Sequence, residues 1–306
     1  MISRVTNQTM SSFAQRNLQD NMARMAKLQE LASGGPLIAR PSDDPVGTAD
    51  SMRTRADVRA NEQYKRNIDD ANGWLTTIDS ALGTVTGLLN KARDLTIQAS
   101  NSSLSQTARE AIGLELASIK ESLLDATQTK YLGRSVFAGN SDAQKVFTDT
   151  VTAGGSTEYT LMAPGTSGVE RRIGAAEGQT VRVDVDAAKI FGEDASGDTS
   201  VFALLDSMVA KLNGTGDISA DLNSIDSRLN AVINGRAEVG TRHAQIMKAQ
   251  ETNLDEAVSL EARRSGIEDP DIGKVVLDLK MQEVAYQAAL QVTARVLQPT
   301  LMDFLR

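Results

Sequence analysis

The C-terminal segment carries apolar residues at a strict heptad spacing. From residue 272 onward, ten positions alternate four and three residues apart, and seven of the ten are apolar. These positions are Ile272, Val276, Leu279, Glu283, Tyr286, Leu290, Thr293, Leu297, Thr300 and Phe304. The spacing predicts an α-helix with a narrow coiled-coil seam rather than a broad core-facing surface. Because little chain follows this seam, we expect the other terminus or another subunit to cover it.

The N-terminal segment predicts a second amphipathic helix, from Met10 to Leu31, which stops at the breaker Gly34-Gly35-Pro36. We predict that the two terminal helices pair and form an assembly interface. The residues assigned to this interface are Leu18, Met22, Met25, Val276, Leu279, Tyr286, Leu290, Leu297 and Phe304. The pattern alone leaves an alternative open, in which both helices pack on the body of the protein as ordinary amphipathic helices do.

Two Asp-Pro steps mark helix starts. An aspartate can accept hydrogen bonds from free backbone N–H groups, and a proline at the first helical position loses no hydrogen bond. The first step predicts a helix from Pro45 to Ala99, on the order of 80 Å long. A heptad pattern from Ile218 to Ile246 predicts another long helix, which ends near Arg264. The residues assigned to helix caps and connectors are Asp43, Asp44, Pro45, Asp269 and Pro270.

The middle of the chain has a different pattern. A capping box of Thr107 and Glu110 predicts a helix that ends near Gly133. Beyond it, Gly, Thr, Ser and Asp cluster, and the alternation from Thr180 to Asp186 predicts a half-buried strand. The predicted fold is therefore mainly α with a small β-rich insert. It consists of a long antiparallel helical bundle or coiled-coil rod, with the N- and C-terminal helices paired at its base.

These elements predict three regions. Residues 1–44 and 266–306 form terminal coiled-coil assembly segments, which we expect to be mobile in the monomer because a seam without a partner does not offset its ordering entropy. Residues 45–138 and 213–265 form a helical rod domain. Residues 139–212 form the β-rich inserted domain.

Composition argues against several classes of function. The formal net charge of −8 disfavours binding to nucleic acid and insertion into or adsorption on an anionic membrane. No apolar run approaches the roughly 20 residues of a membrane span. The N-terminus lacks the apolar stretch of a secretory signal. The chain contains no cysteine, so disulfides and thiolate metal sites are absent.

Candidate chemistry is sparse, and we predict no enzyme and no cofactor. His243 is the single histidine and lies on a seam position, so we interpret it as a packed or interfacial side chain. Asp184 and Asp186 share one side of the predicted strand. Calcium binding is conceivable there, but a solvated strand face explains the alternation. An enzyme with its site in the insert remains as an alternative of another class.

Several motifs, taken in order, resemble the flagellin superfamily. The turn Ser42-Asp43-Asp44-Pro45 follows Leu31-Ala32-Ser33-Gly34, and this form is typical of the members that join hook to filament. Further matching segments are Gln63-Tyr64-Lys65-Arg66-Asn67-Ile68, Ala92–Ala99, Leu132–Gly139, Glu238–Arg242, Gln287–Leu290 and Leu301–Leu305. The resemblance covers about the first 140 and the last 95 residues. Two features depart from the family pattern: Gly34-Gly35-Pro36 and Pro299.

This resemblance implies a structural subunit of the bacterial flagellum. Members are exported unfolded, without a cleaved signal peptide, with the help of a cytoplasmic export chaperone. The junction members form a ring of identical copies between a hook-side junction protein and flagellin, outside the cell. A filament-forming flagellin is the alternative within the same superfamily.

Overall fold

In a computed structural model, the structure describes residues 7–101, 103–141, 143, 145–151, 157–162, 168–175, 178–194, 199–214 and 216–296. The helices are α1 (Asn7–Ala32), α2 (Pro45–Ala99), α3 (Gln106–Thr127), α4 (Ala187–Phe191), α5 (Val201–Asn213), α6 (Asp221–Glu268) and α7 (Ile272–Val296). The strands are β1 (Lys130–Tyr131), β2 (Arg134–Ser135), β3 (Phe147–Val151), β4 (Thr157–Leu161), β5 (Glu170–Arg172) and β6 (Thr180–Arg182).

The chain divides into two compact units. The terminal unit consists of Met1–Arg59 and Ala257–Arg306, and the central unit consists of Ala60–Glu256. The predicted fold class is confirmed: the protein is mainly helical, it has a small strand-containing insert, and its two terminal helices pack against each other.

The central unit contains the apolar core. The heptad positions of α2 from Ile68 to Ala92 are buried. In the second heptad series, Ile218, Ile225, Val232, Val239 and Ile246 are buried, whereas Leu222, Leu229 and His243 are half-buried and Arg236 is exposed. Polar pairs that join α2 and α6 include His243 with Asn72 at 2.7 Å, Arg236 with Asp79 at 2.7 Å, and Arg93 with Asp226 at 2.6 Å. Residue numbers fall along α6 as they rise along α2, so the two helices are antiparallel.

Four helix ends differ from the sequence-based prediction. Helix α3 ends at Thr127 rather than near Gly133, because strands β1 and β2 occupy the residues that follow. The Ser105 side chain accepts a hydrogen bond from the Ala108 N–H and caps α3, so the predicted capping box at Thr107 lies inside the helix. Helix α6 continues through Gly266 to Glu268. Asp271 caps α7 by accepting from the Lys274 N–H at 3.2 Å. That cap lies two residues beyond Asp269, because Asp269 still donates its N–H to the Ser265 carbonyl in the last turn of α6.

The insert contains two antiparallel hairpins, β3–β4 and β5–β6, and a third hairpin, β1–β2, lies just before it. Among the described residues the three hairpins do not join into one continuous sheet. Four phenylalanines pack edge-on or stacked between the hairpins and helices α4 and α5, with ring centroids 5.1–6.0 Å apart: Phe137, Phe147, Phe191 and Phe202. Because strand β6 ends at Arg182, the predicted strand from Thr180 to Asp186 is too long. The aromatic cluster and the short helices together give the insert its core.

Asp184 corrects a second expectation about the insert. Its side chain is buried rather than solvated. It accepts hydrogen bonds from the Val169 N–H at 2.8 Å and from the Arg182 guanidinium at 2.8 and 3.0 Å. A buried carboxylate requires such partners, which is why the alternation at this position is not that of a solvent-facing strand.

Candidate functional site: the terminal helix pair

Helices α1 and α7 form an antiparallel pair. The Gln282 side chain donates to the Asn21 side-chain oxygen at 3.0 Å, and a groove further along the pair joins the N-terminal third of α1 to the last turns of α7. The groove encloses about 430 Å³ and is mostly apolar. It is lined by Phe13, Ala14, Asn17, Ala288, Ala289, Val292 and Thr293. Small residues at its base leave room for a side chain from another molecule.

The residues assigned to the assembly interface fall into two sets. Four are half-buried on the α1–α7 pair: Leu18, Met25, Leu279 and Tyr286. Three are exposed in the isolated chain: Met22, Val276 and Leu290, the last at 43%. Leu297 and Phe304 lie outside the described residues. The heptad positions of α7 therefore do not form a single buried face, because some pack against α1 and others are exposed to solvent.

A second apolar stripe on α7 was missed by the sequence reasoning. It consists of Leu277, Met281, Val284, Ala288 and Val292, and all five are exposed. Val284 is 66% exposed. At 3.6 residues per turn, these positions follow one line along the helix. Leu277, Met281 and Val284 lie on the side opposite Leu279 and Tyr286, whereas Ala288 and Val292 line the groove beside Phe13 of α1. The signal was present in the sequence as a four- and three-residue spacing, but the heptad beginning at Ile272 competes with it.

The connector between α1 and α2 is held by its aspartates. Asp44 accepts hydrogen bonds from the Val46 and Gly47 N–H groups at 3.1 and 2.9 Å, and both donors lie in the first turn of α2, which begins at Pro45. Asp43 accepts from the Arg40 N–H at 3.1 Å and lies 3.7 Å from the Lys27 ammonium. Both carboxylates therefore have local structural partners within the terminal unit.

Glu268 ties the connector to two helices of the terminal unit. Its backbone carbonyl accepts from the Leu37 N–H at 2.8 Å. Its carboxylate accepts from Arg55 at 2.6 and 2.9 Å and from the Ser51 hydroxyl at 2.6 Å. The hydrogen bonds from Arg55, with the bond from Ser51 and the positive charges of Arg55 and Arg264, hold the pKa of Glu268 at about 2 against the opposing effect of burial.

The terminal unit buries polar side chains and exposes apolar ones, which is the reverse of the usual distribution in a folded protein. Among the described residues its buried apolar side chains are Leu31 and Val275, whereas Ser51, Thr54 and Glu268 are buried polar groups. The exposed large apolar side chains are more numerous in this unit than in the larger central unit. Burial of apolar surface is the main favourable term in folding. A unit that leaves so much of it exposed is suited to bury it against another molecule.

The described part of the chain offers little for other chemistry. It contains no group of three or more histidines, aspartates or glutamates placed to hold a metal ion. The His243 imidazole is engaged by Asn72 at 2.7 Å. Among these residues, no helix combines the length and apolarity needed to cross a membrane.

Comparison with known proteins decides the family. Residues 5–142 match the bacterial flagellin N-terminal helical region, and residues 222–305 match the bacterial flagellin C-terminal helical region. The chain belongs to the flagellin superfamily. The two matched regions flank the insert and contain both terminal helices, so the helical parts of the chain carry the family relationship.

Curated relatives extend over nearly the whole chain. Flagellar hook-associated protein 3 of Escherichia coli strain K12 is 25% identical over 309 residues, covering 94% of this chain and 94% of the relative. A flagellin of Halalkalibacterium halodurans is 26% identical over 286 residues, covering 93% of this chain and 92% of that protein. This superfamily member thus has relatives named for both the junction and the filament.

Solved structures share the fold. A putative flagellar hook-associated protein from Vibrio parahaemolyticus superposes with a TM-score of 0.65 at 21% identity, covering 74% of this chain and 100% of that structure. The flagellar junction protein FlgL from Legionella pneumophila superposes with a TM-score of 0.57 at 16% identity, covering 72% of this chain and 100% of that structure. At these identities the likeness is one of fold.

Proposed function

We propose that this superfamily member is a structural subunit at the junction between the hook and the filament of the bacterial flagellum. The observation that carries the proposal is that the terminal unit exposes an apolar stripe on α7, together with Phe13 and Met22 on α1, while it buries polar side chains. Such a surface gains free energy when neighbouring subunits cover it. Curated relatives from Escherichia coli and Salmonella typhimurium are flagellar hook-associated proteins, and the turn Ser42-Asp43-Asp44-Pro45 has the junction form.

The second stripe of α7 is the surface we assign to contact between subunits. The half-buried Leu279 and Tyr286 face the partner helix α1 of the same chain, and Leu277, Met281, Val284 and Val292 remain available. Burying each of these side chains contributes about 1.5–3 kcal/mol to association before the entropy of assembly is subtracted. Val276, Leu290 and Met22 extend the contact, and the groove beside Phe13 accepts a side chain of a neighbour.

The partners follow from this assignment. The subunit assembles with other flagellar components: we propose a ring of identical copies, with a hook-side junction protein on one side and flagellin on the other. A cytoplasmic export chaperone would cover the terminal segments before export, and export would proceed without a cleaved signal. The regions 1–44 and 266–306 would be mobile in the monomer and become ordered in the ring, while 45–138 and 213–265 form the rod and 139–212 the insert.

Electron microscopy of cells that lack the gene tests the proposal. We expect hooks without filaments, with flagellin released into the medium, and recovery when the gene is restored. Filament growth in the deleted strain would contradict a junction role.

Two other functions can be separated from it by simple experiments. A filament-forming flagellin shares the terminal architecture and would polymerise alone into long filaments after purification. An enzyme with a site in the insert would show reproducible turnover that is lost when residues 140–212 are deleted. Neither alternative has a specific feature of the described residues in its favour.

A further inference from the structure

The groove between α1 and α7 is an apolar surface that the described residues leave open. Phe13 on one wall is 53% exposed, and Val292 on the other is 61% exposed. The alanines between them, at positions 14, 288 and 289, are too small to fill the space. An apolar side chain that replaces water in such a groove lowers the free energy, because it removes apolar surface from water.

The ten residues from 297 to 306, called the tail below, lie outside the described residues and are attached beside this groove. Helix α7 is described as far as Val296, three residues beyond Thr293 of the groove. Half of the ten tail residues have large apolar side chains: Leu297, Leu301, Met302, Phe304 and Leu305. The tail therefore carries the kind of side chain that the groove lacks, within a few residues of it.

The sequence and length of the tail allow it to return to the groove. Pro299 has no N–H for a helical hydrogen bond, and it disfavours the helical conformation of Gln298 before it. We therefore expect the chain to change direction near Pro299. The α7 side of the groove, from Ala288 to Thr293, occupies about 8 Å of helix axis. The residues that follow the proline, 301–306, span up to about 20 Å when extended, which is enough to lie back along it.

The charge at the rim of the groove complements the tail. The Arg16 guanidinium lies over the Phe13 ring, 4.6 Å from its centroid, and its Nε donates to the Ser12 carbonyl at 3.3 Å. Within the described part of the chain, no carboxylate forms an ion pair with Arg16. Asp303 is the acidic residue of the tail and stands among its apolar side chains. A tail that lies in the groove can bring this carboxylate to the Arg16 guanidinium.

We propose that in the free monomer the tail folds back and covers the groove of its own chain, with Asp303 beside Arg16. Its own chain is the favoured host because the tether gives the tail an effective concentration on the order of millimolar, far above that of a second copy in dilute solution. The cover is reversible. During assembly a side chain of a neighbouring subunit displaces the tail, so free monomers do not associate early; this consequence rests on the proposed function.

An engineered disulfide tests the docking in purified monomer. The chain contains no cysteine, so a single introduced pair reports a single contact. Under mild oxidation A289C/M302C should form an intrachain disulfide, which requires the two Cα atoms to approach within about 7 Å. The matched control is A294C/M302C, whose first cysteine lies on the opposite side of α7 and closer to the tail along the chain. We expect the disulfide of A289C/M302C to form at least about fivefold faster than that of the control.

Two results would overturn the proposal. One is an equal rate of intrachain disulfide formation in the two variants. The other is a disulfide that appears only in a dimer of about twice the 32.7 kDa mass of the chain, which would make a second copy the occupant. Because purified monomer is used, either result is separate from the growth of filaments in a strain lacking the gene, which tests the proposed function.

A charge reversal tests the placement of the tail without altering the groove. In the A289C/M302C chain, D303R should slow disulfide formation about threefold or more, because Arg16 then faces a like charge. R16D/D303R restores opposite charges and should recover most of the rate. A rate that D303R leaves unchanged, or that the double reversal does not recover, would contradict the pairing of Asp303 with Arg16 and this placement of the tail.

Discussion

The central unit and the terminal unit use the same helical patterns for opposite purposes. In the central unit the heptad positions of α2 from Ile68 to Ala92 and alternate heptad positions of α6 are buried, and a phenylalanine cluster supports the insert. In the terminal unit an apolar stripe of α7 is exposed, as are Phe13 and Met22 of α1, and the buried side chains include Ser51, Thr54 and Glu268. This difference shows that sequence periodicity identifies an apolar face of a helix. It does not identify whether the same chain or another molecule covers that face.

The strongest test of this contrast places one charge in each unit. Leu82 is fully buried in the central unit, and L82D should destabilise the chain by about 3–5 kcal/mol because an unpaired carboxyl replaces a packed side chain. Val284 lies on the exposed stripe of α7, and V284D should change the stability of the monomer by less than about 0.5 kcal/mol. Chemical denaturation followed by circular dichroism measures both values.

Motility tests the exposed stripe of α7 separately from stability. V284D should fold normally and yet fail to restore motility to a strain lacking the gene, because its charge would be buried between subunits. Q287D makes the same change at an exposed polar position of α7 and serves as the control. Normal motility of the V284D strain would show that this stripe is not covered in the assembly.

A second prediction concerns a buried polar pair in the central unit. The Asn61 amide donates to the Asn253 carbonyl at 3.1 Å, and the Asn253 amide donates to the Asn61 backbone carbonyl at 3.0 Å and to its side-chain oxygen. N61L should cost about 2 kcal/mol, because it removes a hydrogen-bond partner from a buried amide. N61L/N253L should recover most of that loss, since two apolar groups then face each other. Urea denaturation of both variants gives the comparison.

The matched control for this pair is N90L, the same substitution at an exposed position of α2. It should leave the midpoint of urea denaturation nearly unchanged. A double variant that is less stable than N61L would mean that the two amides do not act as a pair.

A third and smaller effect tests the polar interior of the terminal unit. The pKa of Glu268 is depressed from 4.5 to about 2, so its charge stabilises the folded chain above its unfolded pKa, and that contribution is lost as the pH falls from about 4.5 towards 2. E268Q should lower stability at pH 7 by about 1 kcal/mol and should lack this part of the acid dependence. Chemical denaturation of both chains at a series of pH values from 7 to 2 measures the stability difference and its dependence on pH.

The control for Glu268 is E261Q, which breaks an exposed pair with Arg264 on the same helix. E261Q should leave the acid dependence of the wild-type chain in place. If E268Q and the wild type lose stability in parallel between pH 4.5 and 2, the carboxylate does not stabilise the fold in the way its hydrogen bonds imply.

Much of the fold could be predicted from the sequence because long helices carry strong local signals. The Asp44-Pro45 start, the buried seam of α2 and the pairing of the terminal helices are all present in the structure. The ends of shorter elements were less predictable: Ser105 and Asp271 cap α3 and α7 in place of the residues chosen from the pattern. Which of several neighbouring Ser, Thr and Asp residues caps a helix depends on the backbone geometry, and the sequence pattern does not reveal that geometry.

The candidate site was predictable as a pair of segments but not as a set of faces. The heptad assigned Leu279 and Leu290 to one seam, whereas the structure half-buries Leu279 and leaves Leu290 exposed. Asp184 was expected in solvent because alternation alone does not reveal that a carboxylate is buried and paired with Arg182.

Hydrogen–deuterium exchange of the monomer and of assembled flagella tests the central claim most directly. In the dilute monomer, peptides from α1 and α7 should exchange far faster than those from the buried parts of α2 and α6, because their apolar stripes lack a partner. In purified flagella the same terminal peptides should become protected, while exchange in the central unit changes little. If α1 and α7 are as protected in the lone chain as the core of the central unit, the terminal unit is complete by itself and the account is wrong.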